Sequence, residues 1–268
     1  LERFGGEVEA VFHLGANAST TETDADLIIA TNLNASMALW RWCAAHGKAL
    51  IYASSAATYG DGAEGFDDAG GYDACKRLRP MNLYGWSKQA FDLWAMREAA
   101  RGHAPPLWVG LKFFNVFGPN EYHKGFMTSL VAKNYPRIAA GEPIQLFRSH
   151  RPGIADGDQK RDFVYVKDCA DAVLWLWRHA RHSGVYNIGS GTARSFRELM
   201  AATGAACGVP ARIDYIETPA EIRSNYQYFT EARLSRLRAA GYDTPFTPLE
   251  QAVEDFVVNY LAKNDPYL

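Results

Sequence analysis

Apolar runs of strand length alternate with helical patterns along the first half of this chain. The runs cover residues 10–14, 49–53 and 107–114, and a helical spacing of apolar residues follows at 26–46 and 82–101. Strands that alternate with helices in this way are typical of βαβ units, whose neighbouring strands are parallel. The pattern predicts an α/β fold built on a parallel sheet.

The regular alternation loosens after the third strand. A short helix is predicted at 127–138 and a strand followed by a helix at 162–181. Two later helices have recognisable starts, because Ser195 and Glu198 form a capping-box pattern and Pro248 stands where the first residue of a helix is expected. A second, smaller domain is predicted in this part of the chain.

Charge and composition argue against several classes of protein. Lysine and arginine number 28 against 30 aspartate and glutamate residues, a net charge of −2, so no overall basic field favours nucleic acid. No apolar run approaches the roughly 18 residues that a membrane span needs. The four cysteines form no C-x-x-C pair, which predicts reduced thiols and no metal site. We therefore expect a soluble, cytoplasmic protein without a membrane or nucleic-acid partner.

Tyr84 and Lys88 form the sharpest local signal. They lie four residues apart on a predicted helix and therefore on one face of it. The pKa of a free tyrosine is about 10, so a tyrosine that acts as a base near neutral pH needs a close cation. Ser54 and Ser55 follow an apolar strand, at the sheet edge where open α/β proteins bind ligands. Taken alone, Tyr84 and Lys88 fit an ordinary surface pair on a helix, and the two serines fit an ordinary turn. Together the four residues predict a catalytic site.

With these motifs the chain resembles the extended short-chain dehydrogenase/reductase family of nucleotide-sugar enzymes. The resemblance is carried, in the family's order, by residues 11–16, Asn32, 54–60, 84–88, 114–119 and 161–166. Further likeness to the members that act on an ADP-linked heptose lies in residues 123–125, 226–227, 229–230 and 237–243. The resemblance implies a Rossmann-type parallel sheet with helices on both faces and a smaller α/β substrate domain.

The resemblance also implies an activity. It implies an epimerase, dependent on NADP with NAD as the alternative, that inverts C6 of the heptose in ADP-heptose, a precursor of the lipopolysaccharide inner core. The partner is then this small nucleotide sugar, and the protein is a homo-oligomer, pentameric in the family. Residues 1–118 and 161–190 are expected to form the dinucleotide-binding domain, and residues 119–160 and 191–268 the substrate-binding domain.

Particular roles follow from the resemblance by position. Ser55 binds the reacting oxygen, Tyr84 and Lys124 are the two acid/base groups, and Lys88 contacts the nicotinamide ribose and lowers the pKa of Tyr84. Beside Tyr84, Lys88 and Lys124, the implied cofactor-binding residues are Leu14, Gly15, Ala16, Asn17, Asn32 and Val116. Beside Ser55, the implied substrate-binding residues are Asn115, Phe126, Lys133, Phe147, Arg161 and Tyr226. Arg161 suits a diphosphate because a guanidinium group grips phosphate oxygens bidentately.

Three features depart from the family pattern. The G-x-x-G-x-x-G turn over the cofactor pyrophosphate does not occur, and about 60 residues that include this turn are expected to precede Leu1 in the native polypeptide. The loop at 59–80, rich in glycine and aspartate, is longer than usual and is predicted to lack rigid structure of its own. Phe126 stands where many relatives have a small polar residue. The missing glycine-rich segment leaves the choice between NADP and NAD open, and the long loop and Phe126 leave the details of the substrate open.

Other activities are weighed against the residues beside the serine. Nucleotide-sugar dehydratases carry an Asp-Glu pair there, whereas this chain has Ala56-Ala57, so dehydration is disfavoured. An epimerase of a UDP- or GDP-linked hexose shares the serine, tyrosine and lysine and stays as the alternative enzyme. A non-catalytic NADP-binding protein is the alternative from another class, although such proteins tend to lose the tyrosine or the lysine.

Overall fold

The computed structural model describes residues 6–223 and 226–267, apart from the side chains of Phe126, Glu221 and Ile222. The strands are β1 (Ala10–His13), β2 (Ala49–Ser55), β3 (Trp108–Phe113), β4 (Asn115–Phe117), β5 (Ile144–Phe147), β6 (Lys160–Tyr165), β7 (Gly184–Ile188), β8 (Ala193–Ser195) and β9 (Ile213–Ile216). The helices are α1 (Ala25–Ile28), α2 (Ala35–His46), α3 (Gly71–Arg77), α4 (Leu83–Ala100), α5 (Leu130–Ala139), α6 (Val166–His179), α7 (Phe196–Ala206), α8 (Ala220–Arg223), α9 (Ser235–Ala239) and α10 (Leu249–Phe256).

The chain divides into two compact units. The first unit contains Leu1–Phe113, Asp171–Ile188 and Arg233–Asp243, and the second contains Phe114–Ala170, Gly189–Ala232 and Thr244–Leu268. The expected dinucleotide-binding and substrate-binding domains stay a prediction, and the boundaries of the two units differ from the expected ones at residues 114–118, 161–170, 189–190 and 233–243. Residues 161–170 lie in the second unit, where β6 pairs with β4 and β8. Residues 233–243 lie in the first unit, where Arg236 donates to the Ser183 carbonyl oxygen and its guanidinium group stacks over Tyr186.

The first unit is built on a parallel sheet with the strand order β1-β2-β3-β7. Ser55 pairs with Phe113, so β2 and β3 reach their carboxyl ends together. Helices α2 and α4 contribute Trp40 and Phe91 to a buried aromatic cluster that also contains Trp108 of β3. The predicted α/β class with a parallel sheet is confirmed.

Two predicted elements differ in detail. The helix expected at 26–46 is continuous but has a π-helical stretch at Ile29–Asn34 between α1 and α2. The segment predicted as a loop without rigid structure contains α3, and that prediction is wrong there. The side chain of Gln89, on the next helix, donates to the carbonyl oxygens of Cys75 and Leu78. It thereby supplies hydrogen-bond donors to carbonyl groups at the C-terminal end of this short helix. That side-chain contact has no signature in the local sequence.

The second unit packs its helices around Phe256, Val253 and Leu199. It contains the sheet β4-β6-β8 and the parallel pair β5-β9. The predicted capping box is confirmed, since Ser195 accepts from the Glu198 N–H and Glu198 accepts from the Ser195 N–H. Pro248 precedes α10 as its cap residue, one position before the predicted place.

Asp162 is the main polar anchor of the second unit. The residue is fully buried in β6, and its carboxyl oxygens accept from the Ser190 N–H and hydroxyl, the Gly191 N–H and the Ala232 N–H. A side chain at Gly189 would have its Cβ atom 2.7 Å from Asp162 Oδ2. One carboxyl group thus holds the turn after β7 and the segment around residue 232 against β6.

Replacing Asp162 by asparagine is expected to lower the free energy of unfolding by about 2 kcal/mol or more, because an amide has one acceptor oxygen for four donors. Urea unfolding of the variant and of Asp171→Asn, an exposed carboxyl control, measures this. Equal stability of the two variants would contradict the anchoring role.

Candidate active site

Ser55 stands at the carboxyl end of β2, where the chain leaves the sheet. Its backbone is extended, with φ −155° and ψ 148°, and its Oγ accepts from the Ala57 N–H at 3.1 Å. The 3-10 turn Ala56–Tyr59 follows directly. Ser55 thus caps this turn and presents its hydroxyl at the sheet edge predicted for ligand binding.

Tyr84 and Lys88 lie in the first turns of α4. Asn82 caps the helix by accepting from the Gly85 N–H at 2.8 Å. Gly85 is needed because a Cβ atom there would lie 2.7 Å from the Ala57 carbonyl oxygen. The absence of that atom lets the helix approach the turn after Ser55, so that the side chain of Ser55 interacts with Tyr84.

Lys88 is a buried cation on the same helix face. Its Nζ donates to the Ala53 carbonyl oxygen at 2.7 Å and lies 5.9 Å from the centre of the Tyr84 ring. Only 5% of the residue is exposed. The predicted grouping of the serine, the tyrosine and the lysine is therefore present within the first unit.

Burial and hydrogen bonding set the ionisation of this cluster. Burial raises the pKa of Tyr84, and the hydrogen bond with Ser55 acts in the opposite direction. Burial lowers the pKa of Lys88 to about 8, opposed by the carboxylate of Asp92. The pKa of His13 is lowered by burial and by the Lys88 charge. Ser55 therefore has a second effect that the sequence did not predict, because its hydrogen bond favours the phenolate form of Tyr84.

The turn after β1 is held from behind by Asn32. The Asn32 side chain accepts from the Asn17 N–H at 2.9 Å and donates to the Asn17 carbonyl oxygen at 3.0 Å and to Ser87 Oγ at 3.1 Å. Asn32 is 1% exposed, whereas Leu14 is exposed. The turn made of Leu14, Gly15, Ala16 and Asn17 is thus tied to α4, and Asn32 acts on it as a buried support.

The second unit holds another part of the predicted site. Lys124 lies in the 3-10 segment Tyr122–Met127, with its Nζ 3.7 Å from the buried Glu121 carboxylate. Glu121 in turn accepts from the Ser129 N–H at 2.9 Å and from the Ser129 hydroxyl. Lys124 is therefore a partly exposed cation whose partner carboxylate is fixed. The other predicted residues here are Asn115 and Val116 in β4, Lys133 on α5, and Phe126, whose side chain lies outside the described part.

Arg161 sits among aromatic rings. Its guanidinium carbon lies 5.5 Å from the Tyr226 ring centre and 5.4 Å from that of Phe196, and the rings of Phe147 and Tyr226 are 6.1 Å apart. Burial lowers the pKa of Arg161 to about 10, which leaves it charged at neutral pH. Three predicted substrate-binding residues from distant segments, Phe147, Arg161 and Tyr226, thus lie together.

Asp92 and Lys112 were missed by the sequence reasoning. Asp92 extends the Tyr84 and Lys88 series by four residues on α4, and Lys112 interrupts the apolar strand β3. Both are buried and form an ion pair with an N···O distance of 3.1 Å. A charged residue inside a buried strand is the signal that could have indicated them.

The residues of the first unit fit the nicotinamide end of a dinucleotide. A tyrosine hydroxyl, a lysine ammonium and a serine hydroxyl stand at the carboxyl end of a parallel sheet, and such groups hydrogen-bond to ribose hydroxyls and to a reacting oxygen.

Within residues 6–223 and 226–267, no group of three or more His, Cys, Asp or Glu side chains could hold a metal ion. In the same part of the chain, no helix has the length and apolar character of a membrane span.

Residues 1–189 match the model of the NAD dependent epimerase/dehydratase family. The chain therefore belongs to that family, whose members use a nicotinamide dinucleotide.

Two curated relatives carry the same description, ADP-L-glycero-D-manno-heptose-6-epimerase. The one from Nitratidesulfovibrio vulgaris strain DP4 is 48% identical and is aligned over 98% of this chain and 79% of its own length. The one from Fusobacterium nucleatum subsp. nucleatum is 45% identical over 97% of this chain and 80% of its own length. Among solved structures, the Helicobacter pylori ADP-L-glycero-D-manno-heptose-6-epimerase superposes with a TM-score of 0.80 and 28% identity, covering 98% of this chain and 76% of that one.

Replacing Lys88 by alanine is expected to reduce activity more at neutral than at alkaline pH. The role expected for Lys88 is to support the Tyr84 phenolate by its charge. Because Lys88 is charged below its pKa of about 8, this support is present at neutral pH and is lost as the pH rises through that value. The test measures kcat/KM of the wild type and of the variant from neutral to alkaline pH and compares the loss of activity at each pH. The exposed Lys76→Ala is the control, and a loss that is equal at every pH would disprove the electrostatic role.

Proposed function

We propose that the protein converts ADP-D-glycero-D-manno-heptose to ADP-L-glycero-D-manno-heptose by inverting C6 through transient oxidation and re-reduction. Relatives at 45% and 48% identity over nearly the whole chain carry this activity in their names. The observation that carries the proposal is the cluster of Ser55, Tyr84 and Lys88 at the carboxyl end of β2. This cluster suits removal and return of a hydride at a secondary alcohol.

The first half of the reaction needs a base beside the C6 hydroxyl. A nicotinamide dinucleotide held beside Tyr84 and Lys88 would supply the acceptor for the C6 hydride and the source of the hydride that is returned. Ser55 orients the hydroxyl oxygen, and the Tyr84 phenolate takes its proton as the C6–H bond breaks, which leaves a ketone at C6. Because burial raises the pKa of Tyr84, formation of the phenolate depends on the Ser55 side chain, which acts in the opposite direction, and on the positive charge of Lys88.

The second half needs a proton donor for the opposite configuration. Return of the hydride to the other face of the ketone requires the sugar to present C6 in a second orientation, and one acid/base group cannot easily serve both. Lys124 protonates the C6 oxygen in that orientation. Its ammonium is placed by Glu121, which is itself held by Ser129.

Arg161 binds the diphosphate of the nucleotide sugar. Its guanidinium plane is packed against the rings of Tyr226 and Phe196, which limits its rotamers before substrate arrives. A cation that is already ordered loses less conformational entropy on binding. Phe147 extends the same aromatic surface.

Two other activities are less well supported. Dehydration needs an acid beside the serine, and Ala56 and Ala57 stand there. A non-catalytic dinucleotide-binding protein would not need Tyr84 hydrogen-bonded to Ser55. The cytoplasmic location expected from the composition and the pentameric assembly implied by the family resemblance stay predictions.

Tyr84→Phe and Lys124→Ala are each expected to abolish epimerisation of ADP-heptose, because each removes one of the two acid/base groups. A positioned acid/base group contributes roughly 10²–10⁴-fold. Each variant keeps the half-reaction that the surviving group supports on an aldehyde analogue. Turnover is followed by separating the two epimers.

Lys263→Ala, which removes an exposed lysine from the same unit as Lys124, is the control for loss of positive charge. Epimerisation by Lys124→Ala within a few-fold of wild type would refute the two-base scheme and leave Tyr84 as the single acid/base group.

NADP is proposed as the nicotinamide cofactor, on the strength of the family resemblance. Denaturing the purified full-length protein and identifying the released dinucleotide by mass spectrometry is expected to yield NADP or NADPH. Recovery of NAD alone would reverse this assignment while leaving the epimerase activity unaffected.

A further inference from the structure

A lysine lies inside β3, one of the two interior strands of the parallel sheet. Lys112 on β3 is 3% exposed, and its Nζ lies 3.1 Å from the carboxylate of Asp92, which is fully buried on α4. Taking two charges out of water costs several kcal/mol for each ion, and an apolar pair of the same volume often stabilises a fold as well or better. Stability alone therefore gives no reason for this ion pair.

Asp92 holds the residue that precedes Ser55. Its Oδ2 atom accepts from the Ser54 hydroxyl at 2.7 Å, and its Oδ1 accepts from the Tyr52 hydroxyl at 2.9 Å. The ion pair with Lys112 is the third interaction of this carboxylate. Alternate residues of β2 are thus tied by their side chains to one carboxylate.

Lys112 acts on the other side of Ser55. Its Nζ donates to the hydroxyl of Thr58, and that hydroxyl donates to the carbonyl oxygen of Ser55 at 2.7 Å. Thr58 is fully buried. The Lys112 ammonium also lies 4.9 Å from the ring centre of Tyr59, which fixes it over the turn.

We propose that Asp92, Lys112 and Thr58 form a clamp whose role is to position the Ser55 hydroxyl for the reaction. Asp92 holds Ser54, and Lys112 holds the Ser55 carbonyl through Thr58, so the backbone is fixed on both sides of the serine. The clamp residues are positioning residues and do not touch the reacting atoms. The inference rests on the role proposed above for Ser55.

The placement of Ser55 matters because its hydroxyl must meet both Tyr84 and the substrate oxygen. A misplacement of about 1 Å at a reacting group reduces the rate of the chemical step by up to about 100-fold. Such a displacement lowers kcat and leaves KM nearly unchanged, since the aromatic and cationic groups that bind the nucleotide are not altered.

Thr58 is the best residue for the test, because changing it leaves the buried charges of Asp92 and Lys112 paired with each other. Thr58→Val keeps the shape and removes the hydroxyl, while Thr58→Ser keeps the hydroxyl and removes a methyl group. Each substitution is made in the full-length, cofactor-loaded protein, once in the wild-type background and once in the Ser55→Ala background. For every variant, kcat and KM for ADP-heptose and the midpoint of thermal unfolding are measured. Thr58→Ala replaces the valine variant should that variant not fold.

Thr58→Val is expected to lower kcat by about tenfold with KM within about twofold of wild type, and Thr58→Ser is expected to stay within about threefold. In the Ser55→Ala background, loss of the Thr58 hydroxyl is expected to change kcat by less than about twofold, because the clamp acts through Ser55.

Three results would overturn the clamp. They are a Thr58→Val variant as active as wild type, a serine variant that loses as much as the valine variant, and an equal loss of kcat in both backgrounds. The last is what a merely structural role predicts. A fourth is a Ser55→Ala variant as active as wild type, because it would remove the role of Ser55 and with it the clamp. The Tyr84 and Lys124 variants decide the epimerase activity separately.

Discussion

The close approach of α4 to the turn after β2 is the contact on which the candidate site depends. Gly85 permits it, because any side chain there would meet the backbone of Ala57. Since Tyr84 precedes this glycine and Lys88 lies one turn beyond it, the same contact places both against β2. Tyr84 then reaches Ser55, and Lys88 reaches the carbonyl oxygen of Ala53. One steric condition thus sets the geometry of three side chains of the candidate site.

Buried charge is the second feature that shapes the first unit. Lys88, Asp92 and Lys112 are at most 5% exposed and lie around the carboxyl end of β2. In such surroundings hydrogen bonds and charges act strongly, and an unpaired group is costly. Each of the three therefore has a partner. Lys88 donates to the Ala53 carbonyl oxygen, and Asp92 forms an ion pair with Lys112. The arrangement favours a single well-defined geometry over maximal stability.

The second unit uses the two faces of one strand for different purposes. Asp162 of β6 accepts hydrogen bonds that hold neighbouring loops, and Arg161, its neighbour in sequence, packs against Tyr226 and Phe196. Successive side chains of a strand point to opposite faces. The adjacent pair therefore joins a structural anchor to a cation suited to binding phosphate. A change at Asp162 should consequently disturb Arg161 as well.

The sequence by itself determined the parallel α/β class, the place of Ser55 at the end of β2 and the position of Tyr84 and Lys88 on one helix face, because hydrophobic periodicity and a four-residue helical spacing are local properties. The meeting of Tyr84 with Ser55 was decided by the close approach of α4 to the turn after β2. The sequence could not show that α3 forms within the predicted loop, since Gln89 of the next helix caps it. Nor could it show that Lys112 meets Asp92. Those contacts join residues of different helices and strands, and only tertiary packing decides which buried polar groups become partners.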